Sequence, residues 1–171
     1  MKRILSIILL CLWVVTAAAL NLDSLWSVWN DKTQPDTNRL KAIHDIAWDG
    51  YLFSQPDSAF YFAQMEYDMA EVTNNKKWMA GALNIQGVSF DIRGNYDQAL
   101  AFYEKSLNIY EEAGNKKGIA GSYNNIGAIY KKQSNYERAL AYYDKSLKIK
   151  QEIGNKQGMA LSYNNIGIIY K

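Results

Sequence analysis

The chain reads as an all-α solenoid of helical hairpins, and three observations carry that reading. Asn115 to Lys131 returns forty residues later as Asn155 to Lys171, with 13 of 17 positions identical. The stretches that follow the first copies, Asn95 to Gly114 and Asn135 to Gly154, match at 12 of 20. Within a unit, Tyr123, Ile126 and Tyr130 fall at i, i+3 and i+7, one apolar stripe of a helix. A fixed period of this length marks an array in which each unit buries its apolar face against its neighbours. Such arrays hold partners and seldom do chemistry. Lys171 falls halfway through a unit, so the chain is expected to be a fragment of a longer protein.

Residues 1–19 have the form of a secretory signal. Lys2 and Arg3 make a basic start, Ile4 to Val15 an apolar run, and Ala17-Ala18-Ala19 a small-residue cleavage site. The rival reading is an uncleaved anchor, since Ile4 to Leu20 is at the short limit for a membrane span. Cys11 is the only cysteine and Leu10 precedes it within the apolar run, so lipidation is not expected. Cleavage after Ala19 leaves no cysteine, hence no disulfide framework or thiol chemistry. It also leaves 17 basic against 17 acidic side chains. A neutral product offers no electrostatic case for nucleic acid, whose phosphates are met by Lys and Arg.

Five further segments follow in order. After the signal, residues 20–36 form an N-terminal segment whose Trp26 and Trp29 are expected to cover the outer face of the first hairpin. Residues 37–74 make a degenerate capping unit that keeps Ala47 and Ala59 but has Gly50 at a tyrosine phase. Residues 75–114 and 115–154 are full repeats, and 155–171 is the first helix of a truncated one. Gly87, Gly127 and Gly167 recur at one phase, and Ala59, Ala99 and Ala139 at another, which lets two helices approach closely where they cross. Gly94, Gly114 and Gly154 can end helices, and the asparagine after each can cap the next one. Gln98 stands three residues after Asn95, as in a capping box. Pro56 falls at a first helical position, where its missing N–H costs little.

The order Tyr123, Ile126, Gly127, Tyr130, Ala139, Tyr143 resembles the tetratricopeptide repeat pattern W-x2-L-G-x2-Y followed by A-x3-F. Tyr163, Ile166, Gly167 and Tyr170 restart it. The forty-residue unit is longer than usual and is similar to the repeats of kinesin light chains. Leu83, Gln86 and Phe90 depart from the pattern, and Ser106 and Ser146 stand where the family usually has alanine. The resemblance implies a right-handed superhelix whose first helices line a concave face.

That face is expected to carry Gly81, Asn84, Ile85 and Val88, then Gly121, Asn124, Asn125 and Ala128, then Leu161, Asn164, Asn165 and Ile168. A side-chain amide has a donor and an acceptor, so amides at the repeat spacing can grip an extended peptide by its backbone. The competing reading is that they bond neighbouring helices. On the first reading, Asn125 and Asn165 touch the ligand backbone, while Ile85, Val88 and Ile168 give apolar specificity. Lys131, with Lys132 and Lys171, forms either a basic rim or solvated helix ends matched to the helix dipole. Asp144 and Lys148 are spaced for an i, i+4 pair. His44 is the sole histidine and has no second His or Cys to complete a metal set, so a structural or surface role is expected. No catalytic residues, metal or cofactor are expected.

The signal segment, the PDSAFYFAQ stretch (Pro56 to Gln64) and the NNIG repeats together resemble sensory proteins of Bacteroidota-type bacteria. There the array precedes a membrane helix and a nucleotide cyclase or histidine kinase domain. Residues Asn21 to Ala70 look most like the cyclase-linked subgroup. The resemblance implies an exported region on the periplasmic side, tethered to the inner membrane in the full-length protein. Its partner would be a protein or peptide in the concave groove, with a homodimer formed through the full-length protein. The alternatives are a freestanding periplasmic scaffold and a cytoplasmic adaptor behind an uncleaved anchor.

Overall fold

The computed structural model describes residues 22–170, so the signal segment and Lys171 lie outside the described residues. Among the described residues there are eight α-helices and no strand. They are α1 (22–30), α2 (Asp36–Asp45), α3 (Pro56–Val72), α4 (Lys76–Ile92), α5 (Tyr96–Glu112), α6 (Lys116–Lys132), α7 (Tyr136–Glu152) and α8 (Lys156–Ile169). A π-helical turn, Ile46–Tyr51, continues α2.

Backbone chemistry sets the length of each helix. Gly94, Gly114 and Gly154 have φ of +74°, +62° and +66°, the left-handed conformation that ends a helix without a Cβ clash. Asn74 and Ser134 take the same role at two other ends. The side chains of Asn115, Asn135 and Asn155 each accept a hydrogen bond from the backbone N–H three residues on, which caps α6, α7 and α8. Asn95 occupies the corresponding position, but its side chain makes no capping bond, and nothing in the structure explains the difference. Pro56 does sit at the start of α3.

The hairpins stack in two layers. The first helices α2, α4, α6 and α8 form one layer and α3, α5 and α7 the other. Helices α4 and α6 each pack between their own partner and the second helix of the preceding hairpin. The crossing within a hairpin depends on small residues. A Cβ on Gly87 would stand 2.6 Å from the ring of Tyr103, and one on Gly127 would stand 2.9 Å from the ring of Tyr143. Both tyrosines are buried. In the first hairpin the equivalent pair is Ala47 and Ala63, two buried alanines. Trp48, Tyr51 and Phe62 pack around this smaller core. The same crossing is therefore built as Gly on Tyr in the repeats and Ala on Ala in the first hairpin.

Polar repeats follow the apolar ones. The hydroxyls of Ser106 and Ser146 donate to the carbonyls of Ala80 and Ala120 at 2.8 and 2.7 Å, so serine in place of alanine is satisfied inside the hairpin. Phe90 stacks on Phe102 and Tyr130 on Tyr142, at 5.4 and 5.5 Å between ring centroids. Lys76–Glu112 and Lys116–Glu152 link hairpin ends at 3.0 and 3.1 Å. Both pairs are exposed and contribute little. The Asp144–Lys148 pair expected from spacing does not close to ion-pair distance. Helix α1 lies on the first hairpin. Trp26 meets Phe62 edge-on at 5.1 Å, and the Arg39 side chain donates to the Trp29 carbonyl and lies over its ring.

Candidate functional site: the groove of the first helices

The repeated asparagines stand on the first helices and meet across the joints between repeats. The side-chain N–H of Asn125 donates to the Asn84 side-chain oxygen at 2.8 Å, and that of Asn165 donates to Asn124 at 3.0 Å. Each pair is made of two adjacent phases, one from each repeat. The later phase, that of Asn125 and Asn165, is aimed at the preceding first helix. This geometry gives the amides a structural bond without consuming them. Asn84 keeps its NH2 group and Asn125 its oxygen, and both line the groove.

The same phase explains a correction to the sequence reading. Ile85 stands at the Asn125 phase and is likewise aimed at the preceding hairpin. It is fully buried there with Ala47, Leu52, Ala59 and Ala63, so it belongs to the core and is closed to a ligand. Val88 packs against the cores of both hairpins. Of the three apolar candidates, only Ile168 is exposed. Ala128 and Lys131 are half-buried and Asn164 is exposed, and none of the three lines the cavity described below. Lys132 is paired with Asp91 at 2.5 Å, which occupies one member of the expected basic rim. Lys171 lies outside the described residues.

Within the groove lies a cavity of about 460 Å³ between α2, α4 and α6. Asn84 and Asn125 form one wall. The others come from residues that sequence reasoning left out, among them His44, Trp78, Tyr110 and Ser122. Gly81 and Gly121 also line it, and a Cβ on Gly121 would meet nothing within 4 Å. Lys41, Lys77 and Lys117 surround the mouth with Asp45, which is paired to Lys41.

His44 is oriented by a buried acid. Its Nδ1 lies 3.0 and 3.2 Å from the two carboxylate oxygens of Glu66 on α3, and Glu66 is fully buried. The ring meets Trp78 edge-on at 5.4 Å. Burial opposes the charge on His44, but the hydrogen bond and charge of Glu66, with Asp45 and Asp49, outweigh it and hold the imidazole above the usual histidine range. Burial also pushes the Glu66 carboxyl up, against the opposing pull of His44. The sequence carried a faint signal for this pair, a glutamate at an otherwise apolar phase of α3.

Ser122 shows how two repeats can differ at one position. It is 1% exposed and its hydroxyl has no hydrogen-bond partner. Its counterpart Ser162 accepts a bond from the buried Lys150 at 2.9 Å. Tyr110 stands at the Lys150 phase and covers Gly118 instead, so the Ser122 hydroxyl is left without a partner.

Comparison with known proteins agrees with this architecture. The model of a tetratricopeptide repeat family matches residues 78–151 and 118–171, together more than half of the chain. No curated protein sequence matches it. Among solved structures, BtubC (BKLC) from P. vanneervenii superposes with a TM-score of 0.71 at 18% identity, over 91% of this chain and 64% of that one. The chain thus spans under two thirds of that relative. The tetratricopeptide repeat domain of Arabidopsis FLU gives 0.61 at 19% identity, over 69% of this chain and 99% of that one. A signal transduction ATPase with numerous domains from Pyrococcus horikoshii, which has a tetratricopeptide repeat sensor, gives 0.67 at 20% identity, over 82% and 22%. These likenesses show the fold. With hairpins, close glycine crossings and a groove of first helices in place, the chain belongs to the tetratricopeptide repeat family, a scaffold for protein interaction that is not itself catalytic.

Proposed function

We propose that the groove holds an extended peptide or protein segment by its backbone, and that the array is the extracytoplasmic input region of a membrane signalling protein. One observation carries the first half: the amide pairs Asn84–Asn125 and Asn124–Asn165 recur along the groove. Bonding within a pair fixes each side chain, so less rotamer freedom is lost when a backbone docks. The unused donor and acceptor of a pair match the C=O and N–H of an extended strand. The test is selection of binders from a random peptide pool, followed by the double variant Asn125→Ala, Asn165→Ala. Affinity is expected to fall about ten-fold or more, since two backbone contacts are lost. Unchanged affinity in a variant of native helicity would refute it.

The signalling half rests on the secretory form of residues 1–19 and on the resemblance of the repeats to sensory proteins. Among the described residues no helix is long and apolar enough to cross a membrane. On this reading the membrane span belongs to the full-length protein outside the described residues. Ligand binding would bias the curvature of the array and so the arrangement of dimerised cyclase or kinase domains. Reading the gene downstream of Lys171 decides between this and a periplasmic scaffold without output. An apolar span followed by a catalytic domain supports input. A polar capping helix and a stop leave the scaffold.

A further inference from the structure

We propose that a second cavity, in the layer of second helices, is a docking site for a tyrosine side chain of a protein partner. It goes beyond the peptide groove, since the two cavities share no lining residue. The second cavity measures about 520 Å³ and opens between α3 and α5, with α4 as its floor. Gln64 comes from α3, Leu83 and Gln86 from α4, and Phe102, Lys105 and Ile109 from α5.

The next joint of the array shows what such a place holds. Forty residues on, Leu83, Phe102 and Lys105 become Tyr123, Tyr142 and Lys145. The Tyr123 ring centroid lies 6.0 Å from that of Tyr142, and Lys145 Nζ stands 5.4 Å over the Tyr123 ring. The Tyr123 hydroxyl donates to Glu111 at 3.2 Å. Two of the three parts are kept in the earlier joint. Lys105 Nζ stands 5.2 Å over the Phe102 ring, as Lys145 stands 4.9 Å over Tyr142. The third part differs, because leucine at position 83 is too short to supply a ring. In the later joint the ring rises from the floor helix. In the earlier one it enters from outside, carried by a partner chain.

The floor adds a hydrogen-bond acceptor. Gln86 is 1% exposed and stands where the next repeat has the apolar Ile126. Its NH2 donates to the Gln64 oxygen at 2.9 Å, while its own oxygen lacks a partner among the described residues. A buried acceptor in that state is stabilised by an incoming donor. The electron-rich face of an aromatic ring complements the charge of Lys105. The occupant therefore needs an aromatic body and one donor. A tyrosine has both, and a phenylalanine has the ring without the donor.

The experiment is an NMR titration of the full chain with three probes. These are the blocked peptide Gly-Ser-Tyr-Ser-Gly, its Phe counterpart, and p-cresol. The Tyr peptide and p-cresol are expected to give saturable shifts at the Ile109 methyls and the Gln86 side-chain amide. The Phe peptide should bind there at least about five-fold more weakly, for want of the hydroxyl. Any shift of the Asn125 side-chain amide reports the groove instead, and is expected to be the same for both peptides. Leu83→Tyr supplies the ring from within, so it should melt no lower than wild type and lose the Tyr-peptide response at Ile109. Gln86→Ile, the residue of the next repeat, should abolish the preference for Tyr over Phe. Equal binding of the two peptides at Ile109, or a Leu83→Tyr protein that binds as wild type does, would overturn the site. If Leu83→Tyr fails to fold, Gln86→Ile decides alone, since a retained preference for Tyr refutes the acceptor. A response to p-cresol without one to the Tyr peptide would make this a pocket for free phenols and overturn the partner. Silence at Ile109 with all three overturns the proposal and leaves the peptide groove untouched.

Discussion

Gly87→Ala and Gly167→Ala are the same substitution at the same phase of the repeat, yet they are expected to act with opposite sign. A Cβ at position 87 would lie 2.6 Å from two ring carbons of Tyr103. Ordinary carbon contact begins about 1 Å further out. Tyr103 is 1% exposed and sits in a core with Ala99, Ile126 and Ile129, so its ring cannot swing away and α4 must separate from α5. Overpacking of this kind costs up to about 3 kcal/mol. The better helix propensity of alanine returns about 1 kcal/mol, for a net loss near 2 kcal/mol. At position 167 the Cβ meets nothing within 4 Å, so only the propensity gain remains. For a chain of this length each kcal/mol moves the midpoint by about 2–4 °C. Thermal melts followed by circular dichroism should therefore place Gly87→Ala about 4–8 °C below wild type and Gly167→Ala up to about 4 °C above it. A Gly87→Ala protein that melts with or above wild type would show that the crossing is loose and that the glycine is there for another reason.

Three further outcomes follow from the same geometry. His44 holds its proton above the usual range when folded, so its stabilising contribution is complete below about pH 6.5 and fades as pH rises through the folded value. Denaturant midpoints should decline from about pH 6 to pH 8 in wild type and lose that slope in His44→Gln, and equal slopes would refute the linkage. Ser106→Ala removes a buried 2.8 Å bond and should cost about 1 kcal/mol in urea melts, whereas Ser122→Ala, with no bond to lose, should be neutral or stabilising; equal costs would contradict the assignment. Among the described helices α8 packs chiefly on α7 and leaves Leu161, Tyr163 and Ile168 exposed, so its amides should exchange sooner than those of α6. Equal protection in a monomer would count against that.

Much of the fold was legible because repetition averages out local ambiguity. Gly127 at one phase and Ala139 at another could be read as a helix crossing, since the same pair recurs forty residues earlier as Gly87 and Ala99. The positive-φ glycines between the stripes marked the helix ends for the same reason. The cavity was less legible. Asn84 and Asn125 stood out as repeated amides, but that they bond each other depends on the distance between two first helices. Ile85 was misplaced because a phase on a helical wheel says which side faces away from the partner helix. It does not say how closely the preceding repeat approaches.

The division has a physical basis. Periodicity along the chain determined the helices, their pairing into hairpins and the small residues at the crossings, because these depend on contacts within one unit and its copy. Contacts made in one place only were decided by tertiary structure alone. The first hairpin brings Glu66 behind His44, and Tyr110 in place of Lys150 leaves Ser122 unpartnered. Neither event repeats, so neither has a period to betray it. The groove's chemistry lies where the repeat breaks its own rule.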